Sequence, residues 1–339
     1  MRARDLGLAC GALPPGLRNT IADVPGVLVG HCTRSEGAVQ TGVTAILPHD
    51  GDLFQTKPLA AACITNGFGK SVGLVQLGEL GTLETPILLT NTFAVGACSG
   101  ALIRRAIAAD PEIGRRTATV NPVVLECNDG YLNDIQAMAV TEADALAAID
   151  AAAETFALGA VGAGTGMSCF GFKGGIGSAS RRLRLDGATY HLGVLVLANF
   201  GRAGDLRLPD GRRVDPESGV MEEQGSCIVV IGTDIPVECR QLERVARRAG
   251  VGLAWCGSFW GNGSGDIAVA FTTAGPVAQE PDADFQERRV LVEGRIDRLF
   301  QAAAEATQEA VLDALAGAET TAGRNGHVRV GLAEVLGRS

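Results

Sequence analysis

Three observations place this chain in the α/β or α+β class, with substantial antiparallel sheet covered by helices. Short apolar, strand-like runs recur along its 339 residues, amphipathic helical patterns fall between them without regular β-α-β alternation, and the pair Asp186-Gly187 reads as a tight antiparallel turn. Hydrophobic residues make up 46% of the sequence and charged ones 20%, enough apolar side chain for a large core. With 46 glycines and only 4% aromatic residues, many tight turns and close backbone packing are expected.

In chain order the strand-like runs are GVLVGHCT (26–33), GVTAILPH (42–49), AACITNGFG (61–69), PILLTNTFAVG (86–96), VVLECND (123–129), HLGVLVLANFG (191–201), CIVVIGTD (227–234) and DIAVAFTTA (266–274). RRLRL, just before Asp186, supplies the other arm of the hairpin. Helices are expected over 97–109, 142–156, 237–249 and 284–315. The second opens on a capping-box-like Thr141 and Asp144. The last sets Ile296, Leu299, Phe300, Ala303, Val311, Leu312 and Leu315 on one apolar face, which reads as core and not as a cofactor box. No internal repeat or linker-like tract interrupts the chain.

The formal net charge of -9 argues against a nucleic-acid partner, and the short basic clusters 181–184 and 244–248 read as solvated faces. The first residues, MRARDLGLACGALPPG, lack the continuous apolar core of a secretory signal. No window approaches the roughly 18 apolar residues of a membrane span. Nine cysteines, an odd number without a C-x-x-C, fit reduced thiols and a cytoplasmic setting. The four histidines do not pair at ligand spacing, so no metal site is expected.

The glycine-rich stretch GAVGAGTGMSCFGFKGGIGSAS (159–180) contains a G-x-G-x-G run, with Asp186 near the distance of a ribose-binding acid. It follows a helix, opens none and leads into a hairpin, which argues against a dinucleotide fold. A turn-laden wall that lets backbone approach a ligand or a neighbouring subunit fits better. No serine sits in a G-x-S-x-G elbow, so a histidine-based serine hydrolase also lacks its signature.

EEQGSCIVVIGTD (222–234) is more specific. Ser226 is the last polar residue before a strand with β-branched residues at four of its five positions, 227–231. One reading makes it a loop serine at a strand end. The other cuts the chain between Gly225 and Ser226. The freed α-amine, with an ordinary pKa of about 7.7 to 8.0, could then act as the base for the serine's own hydroxyl. Such a site needs orienting groups, an oxyanion donor and a substrate selector. Ser264 and Asp266 stand two apart at a strand entry, Asn199 ends an apolar strand, and Glu126 lies just past another apolar run.

Together RARDLG, IADVPGVLVGHCT, GYLNDI, GAGTGM, FKGGIG, ANFGR, GSCIVVIGTDIP and NGSGDI resemble, over almost the whole chain, the self-processing aminopeptidases that include L-aminopeptidase/D-amino-acid esterase-amidases and β-peptidyl aminopeptidases. The resemblance implies one αββα domain over 1–339, like the sandwich of N-terminal nucleophile hydrolases with its own connectivity, cut into segments 1–225 and 226–339. It implies Ser226 as nucleophile, Ser264 and Asp266 as groups that orient and polarise it, and Asn199 as an oxyanion donor. Glu126 would receive the substrate's ammonium group. An aromatic hydroxyl assists near that glutamate in some members, and here Asn128 and Tyr131 occupy the nearest positions. The implied enzyme is cofactor-free and homotetrameric, and releases N-terminal residues, α-L, α-D or β, from short peptides, amides or esters. The fold also resembles that of ornithine acetyltransferases, which use threonine. Two alternatives are a non-catalytic binding or assembly module of the same fold and an amidase for non-natural oligoamides. Cys227 should point to the opposite strand face from Ser226.

Overall fold

The computed structural model describes residues 1–216, 225–281 and 283–337. Glu222, Glu223 and Gln224 of the serine-bearing stretch lie outside the described residues.

β1 (Leu28–Glu36) and β2 (Val39–Leu47) form an antiparallel hairpin, and the chain then crosses to a second sheet with β3 (Thr56–Gly67). After α1 (Leu74–Leu80) it returns as β4 (Ile87–Asn91), enters α2 (Val95–Ala109), and adds β5 (Val123–Cys127) parallel to β4. Then follow α3 (Glu142–Asp150), the two-residue pair β6 (Ser168–Cys169) and β7 (Phe172–Lys173), and the long hairpin β8 (Gly175–Leu185) and β9 (Ala188–Asn199). β10 (Ser226–Thr233), α4 (Cys239–Ala246), α5 (Ala249–Trp255), β11 (Gly265–Ala278) and α6 (Asp297–Ala316) come next. A small pair, β12 (Thr321–Ala322) and β13 (Val328–Arg329), precedes α7 (Leu332–Leu336).

One sheet has the order β1-β2-β4-β5 and the other β3-β11-β10-β9-β8, each antiparallel but for one parallel pair, β4 with β5 and β10 with β11. Side-chain alternation sorts the buried residues into layers. Val29, Ile46, Leu89 and Leu125 of the first sheet meet Leu197, Ile228, Val230 and Val269 of the second in one shared core. Val43, Leu88 and Val124 face the other way, against α2 and α3. Val196, Val229 and Ala270 turn outward against α4, α5 and α6. The result is the four-layer αββα order, and all eight strand-like runs contain strands. The hairpin turn is where expected, with Asp186 and Gly187 at φ 48° and 80°, the left-handed pair a two-residue turn requires.

Several boundaries differ from the sequence reading. The run 86–96 stops being a strand at Asn91, whose side-chain oxygen accepts the N–H groups of Phe93 and Ala94 and turns the chain into α2. The stretch Thr92–Ala109 is long and apolar enough by composition to cross a membrane, contrary to the sequence scan. Its Val95, Cys98, Ala101 and Leu102 fall on the stripe that packs on the first sheet, the spacing of a core helix.

α3 ends at Asp150 and not at 156, because Ala153 exchanges both backbone hydrogen bonds with Val29 at 3.0 Å, joining the edge of β1. The helix expected over 237–249 is α4, and α5, not expected from the sequence, follows from Ala249. Gly252 brings α5 so close to α6 that a methyl there would lie 2.5 Å from the carbonyl of Ala304. The long helix starts at Asp297, since Leu291 instead donates its N–H to Pro236 at 2.8 Å in an extended segment.

Nor is α6 apolar on one face only: it is buried on every side from Ala302 to Ala316. Glu305, Glu309 and Asp313, four residues apart, form a buried acidic stripe. Arg181, expected in a solvated cluster, is fully buried and reaches Glu305 at 3.2 Å and Glu309 at 2.9 Å. Arg4 meets Glu309 at 2.5 Å and Arg2 meets Asp313 at 2.6 Å, which pins the first residues to the helix. Burial pushes the Glu309 carboxyl up, but Arg4, Arg181 and Asn19 together outweigh it and hold it below its ordinary value.

Candidate active site

The site forms where strands of both sheets end at one edge of the shared core. Ser226 is the first residue of β10 and pairs with Asn199, the last of β9. It shares strand parity with Ile228 and Val230, which lie between the sheets, so Ser226 faces inward and is buried to 6% exposure. Cys227 sits in the outer cluster with Val229 and Ile231, on the opposite face as alternation requires. Burial holds its thiol well above the ordinary value, so it is a poor source of thiolate. Cys127, the last residue of β5 in the other sheet, directs its Sγ to the carbonyl of Ser226 at 3.3 Å and ties the two sheets together here.

The Ser226 hydroxyl accepts the N–H of Gly265 at 3.1 Å. Gly265 opens β11 and is the residue between Ser264 and Asp266. A methyl on it would lie 3.2 Å from the Ser226 oxygen and 2.6 Å from the carbonyl of Phe68, so only glycine fits. Ser264 is fully buried; its carbonyl accepts the Phe68 N–H at 3.3 Å, and its hydroxyl has no partner among the described residues. Asp266 is buried and stands opposite Cys227, next to a register shift between β11 and β3.

Asn199 is held by both ends of its amide. Its oxygen accepts the N–H of Ser168 at 2.9 Å and its nitrogen donates to the carbonyl of Asn128 at 3.0 Å. A primary amide nitrogen carries two hydrogens, so one N–H remains beyond the bond to Asn128.

Glu126, on β5, meets the segment from Phe68 to Lys70 that runs beside the start of β11. Its buried carboxylate accepts the N–H of Lys70 at 2.8 Å and the hydroxyl of Thr92. The segment from Phe68 to Lys70 thus touches Ser264 and Gly265 at one end and Glu126 at the other. Each carboxylate oxygen can accept further bonds, which a substrate ammonium would supply.

Asn128 and Tyr131 line a cleft of about 590 Å³ together with Asn199, Gly225, Arg324 and Arg329. The Asn128 side chain folds back on its own loop, accepting the N–H of Gly130 at 2.9 Å. Tyr131 is stacked on His327 at 4.5 Å and lies under the guanidinium of Arg329 at 3.6 Å.

The glycine-rich stretch is a wall, as expected, but from Gly175 onward it is strand β8, where Gly177 packs against α6 so tightly that a methyl would meet Ala310. Inside the wall Lys173 is fully buried, donating to the carbonyls of Gly164, Met167 and Gly174 at 2.9, 3.0 and 2.8 Å. Burial pushes it down to about 7, opposed by the charge of Asp129. The sequence reading missed Lys173, Thr92, Ser168, Gly265 and Cys127 as parts of this edge. Lys173 alone left a signal, a charged residue amid an otherwise uncharged run.

The chain as a whole is similar to known proteins. The family model of peptidase family S58 matches residues 19–329. The chain is 39% identical to the β-peptidyl aminopeptidase BapA of Sphingosinicella microcystinivorans, covering 96% of this chain and 88% of that one. The crystal structure of the PH0078 protein from Pyrococcus horikoshii OT3 superposes with a TM-score of 0.93 at 47% identity, over 99% of this chain and 98% of that one. The L-aminopeptidase D-Ala-esterase/amidase from Ochrobactrum anthropi does so with a TM-score of 0.88 at 35% identity, over 98% and 95%. That protein is presented as a prototype for the serine aminopeptidases and a new variant of the Ntn hydrolase fold. With the family model spanning both sheets and every strand end that meets at Ser226, the chain belongs to peptidase family S58 and is a hydrolase.

Proposed function

We propose that this chain, a hydrolase of the serine aminopeptidase kind, cuts itself between Gly225 and Ser226 and then releases N-terminal residues from short peptides, amides or esters. The observation that carries the reading is the pairing of Ser226 with Asn199 at the sheet edge, which sets a buried hydroxyl beside an oriented amide donor.

After the cut, the Ser226 hydroxyl adds to the substrate carbonyl and its proton passes to the α-amine of the same residue. The oxyanion takes the remaining N–H of Asn199. As the C–N bond breaks, the ammonium returns the proton to the departing amine and leaves an ester on Ser226. Water then adds with the same amine as base, the acid departs, and Ser226 regains its proton. Ser264 and Asp266, flanking the Gly265 contact, orient and polarise the hydroxyl. Glu126 receives the substrate ammonium and enforces the N-terminal rule, while Asn128 and Tyr131 border the substrate.

Family and relatives favour this over a non-catalytic module. We further propose a homotetramer of cut units, on the resemblance alone, acting without cofactor or metal. We also propose a cytoplasmic setting, on the sequence alone: nine cysteines, an odd number without a C-x-x-C.

Intact mass spectrometry tests the cut: two species matching 1–225 and 226–339 are expected, and S226A should give one inactive full-length chain. A single mass for the native protein, or a cut and active S226A, would overturn the mechanism. Brisk turnover of N-acetylated substrates would remove the role given to Glu126.

A further inference from the structure

We infer that the cleft beside Asn199 is a carboxylate site for the departing half of the substrate, with Arg324 as its specificity-determining residue. The enzyme would thereby prefer short peptides with a free C-terminal carboxylate over the corresponding amides. The inference rests on the aminopeptidase reading above and adds the substrate class.

Direction comes first. β10 is flanked by β11 on one side and β9 on the other. The contacts that lead to Glu126 run through Gly265, Phe68 and Lys70, on the β11 side. Asn199 is on the β9 side. A substrate with its ammonium at Glu126 and its carbonyl at Ser226 therefore sends its departing half past Asn199, into the cleft that Asn199 lines.

The described lining of the cleft carries positive side chains. On a chain of net charge -9, its lining among the described residues includes two arginines and no carboxylate. Arg324 spends Nε on the carbonyl of Gly130 at 2.6 Å and makes no ion pair among the described residues, so its terminal nitrogens remain to bind a ligand. That one backbone bond restrains the guanidinium and leaves its two terminal nitrogens as a pair, a geometry suited to a two-pronged grip on a planar carboxylate. Arg329, in the same wall, donates Nε to the hydroxyl of Ser168 at 3.2 Å and lies over the Tyr131 ring. A volume of about 590 Å³ holds one or two residues, so the carboxylate of a dipeptide or tripeptide falls within reach.

The test is the ratio of kcat/KM for a dipeptide over its C-terminal amide, the two differing only in that group. The cut wild-type enzyme is expected to favour the free acid about tenfold or more, through KM, with the preference shrinking at high salt. R324M should bring the ratio close to one, and R324K, which keeps the charge, should retain part of it. Because both substrates are read on the same sample, a partly folded variant does not disturb the ratio. A wild-type ratio near or below one would overturn the carboxylate site while leaving the aminopeptidase reading intact, as would an undiminished ratio in R324M. Hydrolysis of neither substrate would overturn both.

Discussion

Ser226 and Asn199 stand directly opposite one another, the first residue of β10 against the last of β9. The amide of Asn199 is clamped between Ser168 and Asn128, so in the proposed mechanism its second N–H would be held in place before substrate arrives, the condition under which an oxyanion donor acts most strongly. Asn199→Ala should lower kcat by roughly 10² to 10³ with a smaller change in KM. Steady-state kinetics on the cut enzyme would show it, and a change confined to KM would assign Asn199 to binding instead.

Cys227 adjoins Ser226, the proposed nucleophile, yet faces the outer core, and burial keeps its thiol protonated. Cys227→Ala is expected to cut itself and keep its activity, with a stability loss on the order of 1 kcal/mol from the small void. Loss of activity in a folded Cys227→Ala would contradict this assignment.

Arg181 is enclosed with Glu305 and Glu309. Replacing it with Met would leave two buried carboxylates without a countercharge they share, a loss of about 3–5 kcal/mol. Denaturant midpoints of the variant and the native protein would measure it. An unchanged midpoint would mean that Arg2 and Arg4 carry the stripe without it.

Asp129 is buried behind Asn128, accepts the amide of Asn133 at 3.0 Å, and has the Lys173 ammonium nearby. Burial pushes it up from 3.8 to about 6. A carboxyl that holds its proton more tightly when folded loses stability as pH rises through the interval between those two values. The stability of Asp129→Asn relative to the native protein should therefore climb between about pH 4 and 6 and level off above. Urea unfolding at several pH values would follow this, and a flat difference would place the group in a more solvated setting.

How much of this was legible differs by residue. The strand runs, the Asp186-Gly187 turn and the opposite facing of Ser226 and Cys227 follow from local periodicity and turn chemistry, which operate over a few neighbouring residues. Ser226, Asn199, Glu126, Ser264 and Asp266 could be singled out because polar residues ending apolar strands need a reason to be there. The helix ends at 150 and 297 could not, since Val29 and Pro236, distant in sequence, claim the backbone that propensity assigned to helix. Arg181 read as a solvated cluster because its partners lie more than a hundred residues away.

By itself, then, the sequence determined the class of fold, the strand that carries the serine and the polar residues at strand ends. Only the tertiary structure decided that those ends share one edge, that Gly265, Thr92, Ser168 and Lys70 hold them in place through backbone and hydroxyl groups, and that two arginines line the cleft beyond. The physical reason is that those supports act largely through main-chain atoms that every residue possesses. Their identity leaves no trace in the amino-acid pattern until the chain is folded.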